Sequence, residues 1–153
     1  EFTMRYYEDI EIGQQTRTRD YFVSKEDLIA FAREWDPQPF HIDEEAAKHW
    51  PTGLIGTSVH SYAIINKLFT EISAGSDPIA MVAGLGIDEW RTPNPLRPGD
   101  TVHAIGYVEE KRESASKPNL GILTSVSQLL NQNGDIILTY KSKGLVMKRP
   151  QTA

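Results

Sequence analysis

Cysteine is absent from the sequence, which removes a disulfide scaffold, a thiolate metal site and a cysteine nucleophile together. Long hydrophobic runs are also missing: no apolar stretch approaches the ~20 residues needed to cross a bilayer, and no signal peptide is visible. Positive charge is scarce, with 16 Lys and Arg against 21 Asp and Glu for a net charge of −5. Non-specific nucleic-acid binding therefore has no electrostatic support. Several signatures of chemistry are lacking as well. There is no G-x-S-x-G elbow of the α/β-hydrolase type, and no G-x-G-x-x-G or Walker A loop for nucleotide phosphates. His41, Asp43 and His60 could in principle ligate a metal, but no H-E-x-x-H or H-x-x-x-H pairing accompanies them, so no metal and no cofactor are expected. What remains is a chain of 153 residues, 39 % apolar, long enough for one domain that buries a core without crosslinks. Glu1-Phe2-Thr3 ahead of Met4 reads as a vector remnant, which leaves a single domain over residues 4–150. The absences together predict a soluble, cytoplasmic protein that touches neither membrane nor nucleic acid.

The first half reads mainly as helices. Thr16 to Val23 is a weak strand. Ser24-Lys25-Glu26-Asp27 then carries a capping signal, with the Ser24 hydroxyl placed to accept the Asp27 amide and the Asp27 carboxylate to reach back. Leu28, Phe31, Ala32 and Trp35 follow at amphipathic-helix spacing, and Asp36-Pro37 stops the helix. Asp36 to Asp43 holds two prolines in eight residues and reads as a loop. A short helix over Asp43 to Trp50 ends at Pro51-Thr52-Gly53. From Thr57 to Ala74, Val59, Ala63, Ile64, Leu68 and Ile72 repeat at near-helical spacing, widened by Ile65 and Phe69. Such broad apolar cover predicts a helix wrapped by other structure.

After Gly75-Ser76-Asp77-Pro78 the pattern changes to strands. Ile79–Trp90, Thr101–Arg112, Leu120–Asn131 and Ile136–Lys148 each exceed typical strand length, so the sheet should be curved or bulged. Leu96-Arg97-Pro98-Gly99-Asp100 reads as a turn before the second of them. Gln132-Asn133-Gly134-Asp135 predicts a two-residue hairpin needing positive φ. One long apolar helix with a run of antiparallel strands is an α+β plan, a sheet curling around the helix. Its exposed strand edge predicts at least a dimer.

The loop from Asp36 to Asp43 is where chemistry would sit. It places a carboxylate and an imidazole, Asp36 and His41, five residues apart on a backbone stiffened by Pro37 and Pro39. A preorganised pair of this kind suits general acid–base work; alternatively Asp36 caps a helix end and His41 is a packed polar residue. Gly53 to Ser58 then leads into the long helix. Small residues there allow a ligand to reach the free amides and the positive dipole end, or else they form only a tight turn with Thr57 or Ser58 as cap. His60, one turn into the helix, is either packed or a ligand contact.

Asp36-Pro37-Gln38-Pro39-Phe40-His41-Ile42-Asp43 with Ala46 and Ala47, Gly53-Leu54-Ile55 at the long helix, and Arg97-Pro98-Gly99-Asp100-Thr101 at a strand occur in an order that resembles one family. It is the MaoC-like dehydratases, also called (R)-specific enoyl-CoA hydratases, of the hotdog fold. The resemblance implies a long central helix wrapped by an antiparallel sheet, joined to a second copy as a homodimer or higher homo-oligomer. It implies a lyase acting on an acyl-CoA or related thioester, in which Asp36 and His41 share the acid–base work. Backbone amides at Thr57 and Ser58 would hold the thioester oxygen, and Gln38, Phe40, Gly56 and His60 would contact substrate. Gln38 stands where many hydratases have Asn, and Thr57-Ser58-Val59 where they have His-Gly-Met. A branch reading Ile-Ala-Ser-Gly-Trp-His-Thr is closer to Ile55 to Ser61. Two alternatives share the fold: a non-catalytic acyl-CoA or lipid-binding subunit, and a thioesterase. The basic residues Arg91, Arg97, Lys111, Arg112 and Lys117 are either a solvated face or partners for a ligand's phosphates.

Overall fold

A computed structural model describes residues 3–75 and 78–152. Glu1 and Phe2 of the expected vector remnant, and Ser76 and Asp77 of the expected turn, lie outside the described residues.

The segment expected as one weak strand is two short ones, β1 (Thr16–Arg17) and β2 (Tyr21–Phe22). Both pair antiparallel with β4 (Thr101–Glu113). They are separated because Thr18 turns its side chain into the ladder. Its amide donates to the Ala104 carbonyl at 3.0 Å, and its hydroxyl, in place of its carbonyl, accepts the Ala104 amide at 2.8 Å.

Helix α1 (Lys25–Trp35) begins with half of the expected cap: the Ser24 hydroxyl accepts the Asp27 amide at 3.1 Å, while the Asp27 carboxylate makes no return bond to the Ser24 amide among the described residues. Leu28 and Ala32 are fully buried, but Trp35 at the last position is 65 % exposed and leaves the expected apolar stripe. The expected Asp36 to Asp43 loop contains a helical turn, α2 (Pro39–Ile42). Pro39 sits at its start, where a fixed φ favours the helix and a missing N–H costs nothing. Asp43 caps the next turn, α3 (Glu44–Ala47), by accepting the Glu45 and Ala46 amides. The helix expected to reach Trp50 instead loosens into bonds three residues apart, from the amides of His49 and Trp50 to the carbonyls of Ala46 and Ala47.

Helix α4 (Ser58–Gly75) is the long helix. Its buried positions are His60, Ser61, Ile64, Ile65 and Leu68, and Val59 is 51 % exposed. The apolar face is therefore rotated from the predicted one, and its first turn buries polar side chains.

Four long strands follow: β3 (Met81–Arg91), β4, β5 (Leu120–Leu130) and β6 (Ile136–Met147). The order β1-β4-β5-β6-β3 is antiparallel, with β2 also on β4. Register shifts within the β3–β6 and β4–β5 pairs bend the long strands as their length demands. The β5–β6 connection has five residues, Asn131 to Asp135, rather than two. Asn131 organises it: its carbonyl accepts the Gly134 amide, and its side chain accepts the amides of Asn133 and Asp135. Only Gly134 in this loop takes positive φ, at +79°.

The core lies between α4 and the sheet, with Ile64, Ile65 and Leu68 against Val102, Ala104, Leu129, Ile137 and Leu138. This is the expected α+β hotdog plan, a curved antiparallel sheet with a long helix packed in it.

Candidate active site

Asp36 and His41 meet because the chain between them is held at every step. Asp36 ends α1, its amide still bonded to the Ala32 carbonyl at 2.8 Å, and its own carbonyl accepts the Gln38 amide at 2.8 Å. The Gln38 carbonyl in turn accepts the His41 amide at 2.9 Å. The result puts His41 Nε2 3.5 Å from Asp36 Oδ2. Gln38 Nε2 donates to the other carboxylate oxygen, Oδ1, at 2.9 Å.

The His41 ring is 6 % exposed and anchored from behind. Its Nδ1 lies 2.6 Å from the Ile55 carbonyl oxygen. A carbonyl only accepts, so Nδ1 carries the hydrogen, and in the neutral ring Nε2 is left with its lone pair towards Asp36. Ile55 also donates its amide to the Phe40 carbonyl at 3.1 Å. The short helix carrying His41 is thus clipped twice to the segment that leads into α4.

That segment brings in the amides. The Gly56 amide donates to the Leu96 carbonyl at 2.7 Å, drawing it against the loop before β4. A Cβ on Gly56 would stand 3.0 Å from Leu96 Cδ2 and 3.2 Å from Leu28 Cδ1 and would press on both side chains. At the helix start, the Thr57 hydroxyl accepts the Val59 amide and its carbonyl accepts the amides of His60 and Ser61. The amides of Thr57 and Ser58 donate to no acceptor among the described residues. They are the free N–H groups that a helix start leaves, at the positive end of the α4 dipole.

Asp36, Gln38, His41, Gly56, Thr57 and Ser58 share the wall of one pocket of about 420 Å³. The rest of the wall comes from the chain on either side of them, Thr52, Ile55 and Ser61, and from distant segments, Asn94, Leu96 and Ile137 among them. Asp100 braces the latter: its carboxylate accepts the Arg97 amide and the Gln132 side-chain amide, tying the loop before β4 to the β5–β6 turn. No sequence signal singles out Thr92, Asn94 or Ile137: the first two follow the end of β3, and Asn94 is tied to β6 by its side-chain amide, which donates to the Ile136 carbonyl at 2.9 Å.

Two expected contact residues are not on that wall. Phe40 packs beside His41 and Trp50, with ring centroids 4.3 and 5.6 Å away. His60 is buried and stacks on Phe31, 4.3 Å between centroids and 6° between planes. Its Nδ1 has no hydrogen-bond partner among the described residues. Burial pushes its pKa down, with Asp27 opposing. The five basic residues divide by place. Arg97 donates to the carbonyl of Thr52 on the pocket wall, whereas Lys111 reaches the Tyr7 carbonyl near the far end of β4.

An acid–base pair facing free amides across a pocket can move protons on a bound molecule while holding a developing negative charge. Comparison with known proteins places the chain. The MaoC-like domain matches residues 9–128. The protein YdeM of Bacillus subtilis (strain 168) is 35 % identical over 126 residues, covering 82 % of this chain and 86 % of its own. A MaoC-like dehydratase from Rhodospirillum rubrum superposes with a TM-score of 0.85 at 36 % identity, over 96 % of this chain and 99 % of that one. The (R)-hydratase from A. caviae involved in PHA biosynthesis does so with a TM-score of 0.68 at 25 % identity, over 92 % and 98 %. The chain belongs to the MaoC-like dehydratase family, whose members include hydratases of the hotdog fold.

Proposed function

We propose that this protein is a hydratase/dehydratase that adds water to, or removes it from, an α,β-unsaturated acyl thioester of the acyl-CoA type. The observation that carries this reading is the convergence of Asp36 and His41, 3.5 Å apart, on a pocket that also receives the unbonded Thr57 and Ser58 amides. In the hydration direction a water held by the pair attacks the β-carbon. One of its protons passes to the pair as the C–O bond forms and the double-bond electrons move to the thioester carbonyl. The amides of Thr57 and Ser58 hold the resulting enolate oxygen. The pair then returns one proton to the α-carbon, and both side chains end as they began. Gln38 serves by fixing the second carboxylate oxygen, so that Oδ2 stays aimed at His41. The absorbance of crotonyl-CoA reports the reaction. Asp36→Asn and His41→Ala should each lower kcat by about a hundred- to ten-thousand-fold with folding intact, and unchanged turnover in both refutes the assignment. Release of free thiol instead of hydration marks a thioesterase.

The working unit in this reading is a homodimer. Strand β3 ends the sheet order, and its outer edge pairs with no strand among the described residues. Every residue of β3 except Trp90 is exposed, with Met81, Val82, Leu85 and Ile87 between 41 and 53 %. An apolar strand bare on both faces and on one edge is a liability that a second copy, paired edge to edge, removes.

A further inference from the structure

The molecule holds a second cavity, of about 490 Å³, further along α4. It lies between Ile65 and Phe69 of the helix and Val108, Val126 and Tyr140 of the sheet, and it contains neither Asp36 nor His41. A cluster of three aromatic rings borders it. Tyr62, Trp90 and Tyr140 pack mutually, with centroids 5.5 Å (Tyr62–Trp90), 5.4 Å (Tyr62–Tyr140) and 5.6 Å (Trp90–Tyr140) apart. Tyr62 and Tyr140 line the second cavity. Ser61, next to Tyr62, Ile137, three residues before Tyr140, and Thr92, two residues beyond Trp90, line the catalytic pocket. The three come from α4, β3 and β6, so the cluster spans from the helix to the sheet.

Resting on the hydratase reading above, we propose that the Tyr62–Trp90–Tyr140 cluster is the wall that ends the acyl compartment and restricts this enzyme to short acyl thioesters. Half of the residues that wall the catalytic pocket carry hydroxyl or amide side chains, Thr52, Ser61, Thr92 and Asn94 among them. These favour a compact acyl group near the thioester over a long hydrocarbon tail. The apolar room that a tail needs exists in the second cavity, on the far side of rings held by mutual packing. Each additional methylene that meets such a wall is refused at a cost in transition-state binding, and this cost appears in kcat/KM.

The test is the ratio of kcat/KM for octenoyl-CoA to that for crotonyl-CoA, measured on the wild type and on Trp90→Leu and Tyr62→Leu. The wild type should favour crotonyl-CoA by about tenfold or more, and either leucine variant should raise the ratio towards octenoyl-CoA by about tenfold. Trp90→Phe keeps a ring in the core and should move the ratio less and in the same direction; it supplies the readout where a leucine variant does not fold. A wild type that hydrates both substrates equally well overturns the wall. So does crotonyl-CoA hydration by folded variants with an unmoved ratio. Absence of hydration at every chain length overturns the hydratase reading itself, and the wall with it.

Discussion

His41 uses its two ring nitrogens for different purposes: Nδ1 gives its hydrogen to the Ile55 carbonyl, and Nε2 faces Asp36 and the pocket. His60 is the opposite case, a buried imidazole held by stacking on Phe31, with Nδ1 unpartnered among the described residues. Its consequence is for stability. Burial holds its folded pKa below the ordinary 6.5, and Asp27 only partly offsets this. As pH falls through 6.5 the unfolded chain takes up the proton first, so it binds more protons than the native state and stability declines. The decline levels off once the pH is below the folded value. His103, also depressed by partial burial and by Arg17, acts in the same sense. Urea midpoints recorded above and below pH 6.5 should therefore fall on acidification, and His60→Phe, which keeps the stack, should flatten that dependence. An equal slope in the variant assigns the effect elsewhere.

At the scale of elements, the site is made from ends. Asp36 is the C-cap of α1, His41 lies in the single turn of α2, and the free amides begin α4. What stabilises those ends stabilises the geometry. The Ser24 hydroxyl caps the far end of α1, and Ser24→Ala should cost about 0.5–2 kcal/mol in chemical denaturation. These caps and stops were legible in the chain because each depends on a few neighbouring residues. Ser24 with Asp27 is a local bond, and Asp36 before Pro37 is a local steric stop. The same local grammar misread two places. Thr18 left the strand because its hydroxyl found Ala104, 86 residues away. The β5–β6 turn came out longer because the Asn131 side chain gathers two amides of its own loop.

At the scale of the whole molecule, the two sides of the sheet differ. Strand β4 carries the short β1 and β2 as well as β5, whereas β3 pairs only with β6 among the described residues. Leu85, 53 % exposed on β3, lies within the edge assigned to a second copy. Leu85→Glu should convert a dimer to a monomer in light scattering after size exclusion, because a carboxylate inside an apolar strand pairing is not solvated. A dimer unchanged by that substitution places the contact on another face. The five basic residues, indistinguishable in the sequence, also separate at this scale, since only folding puts Arg97 at Thr52 and Lys111 at Tyr7.

By itself the sequence determined the α+β plan and the positions of the long helix and the four long strands, and it marked Asp36 and His41, with the helix start that follows, as the candidate site. All of these follow from periodicity, prolines and caps within short windows of chain. The tertiary structure alone decided which partners complete the pocket. Asn94, Leu96 and Ile137 arrive there through pairings between distant segments. It also decided that Phe40 and His60 pack behind the wall rather than on it. A helix periodicity gives a face but not its rotation against a sheet. That rotation was settled by Ile64, Ile65 and Leu68 filling the core, which turned Val59 outward and His60 inward.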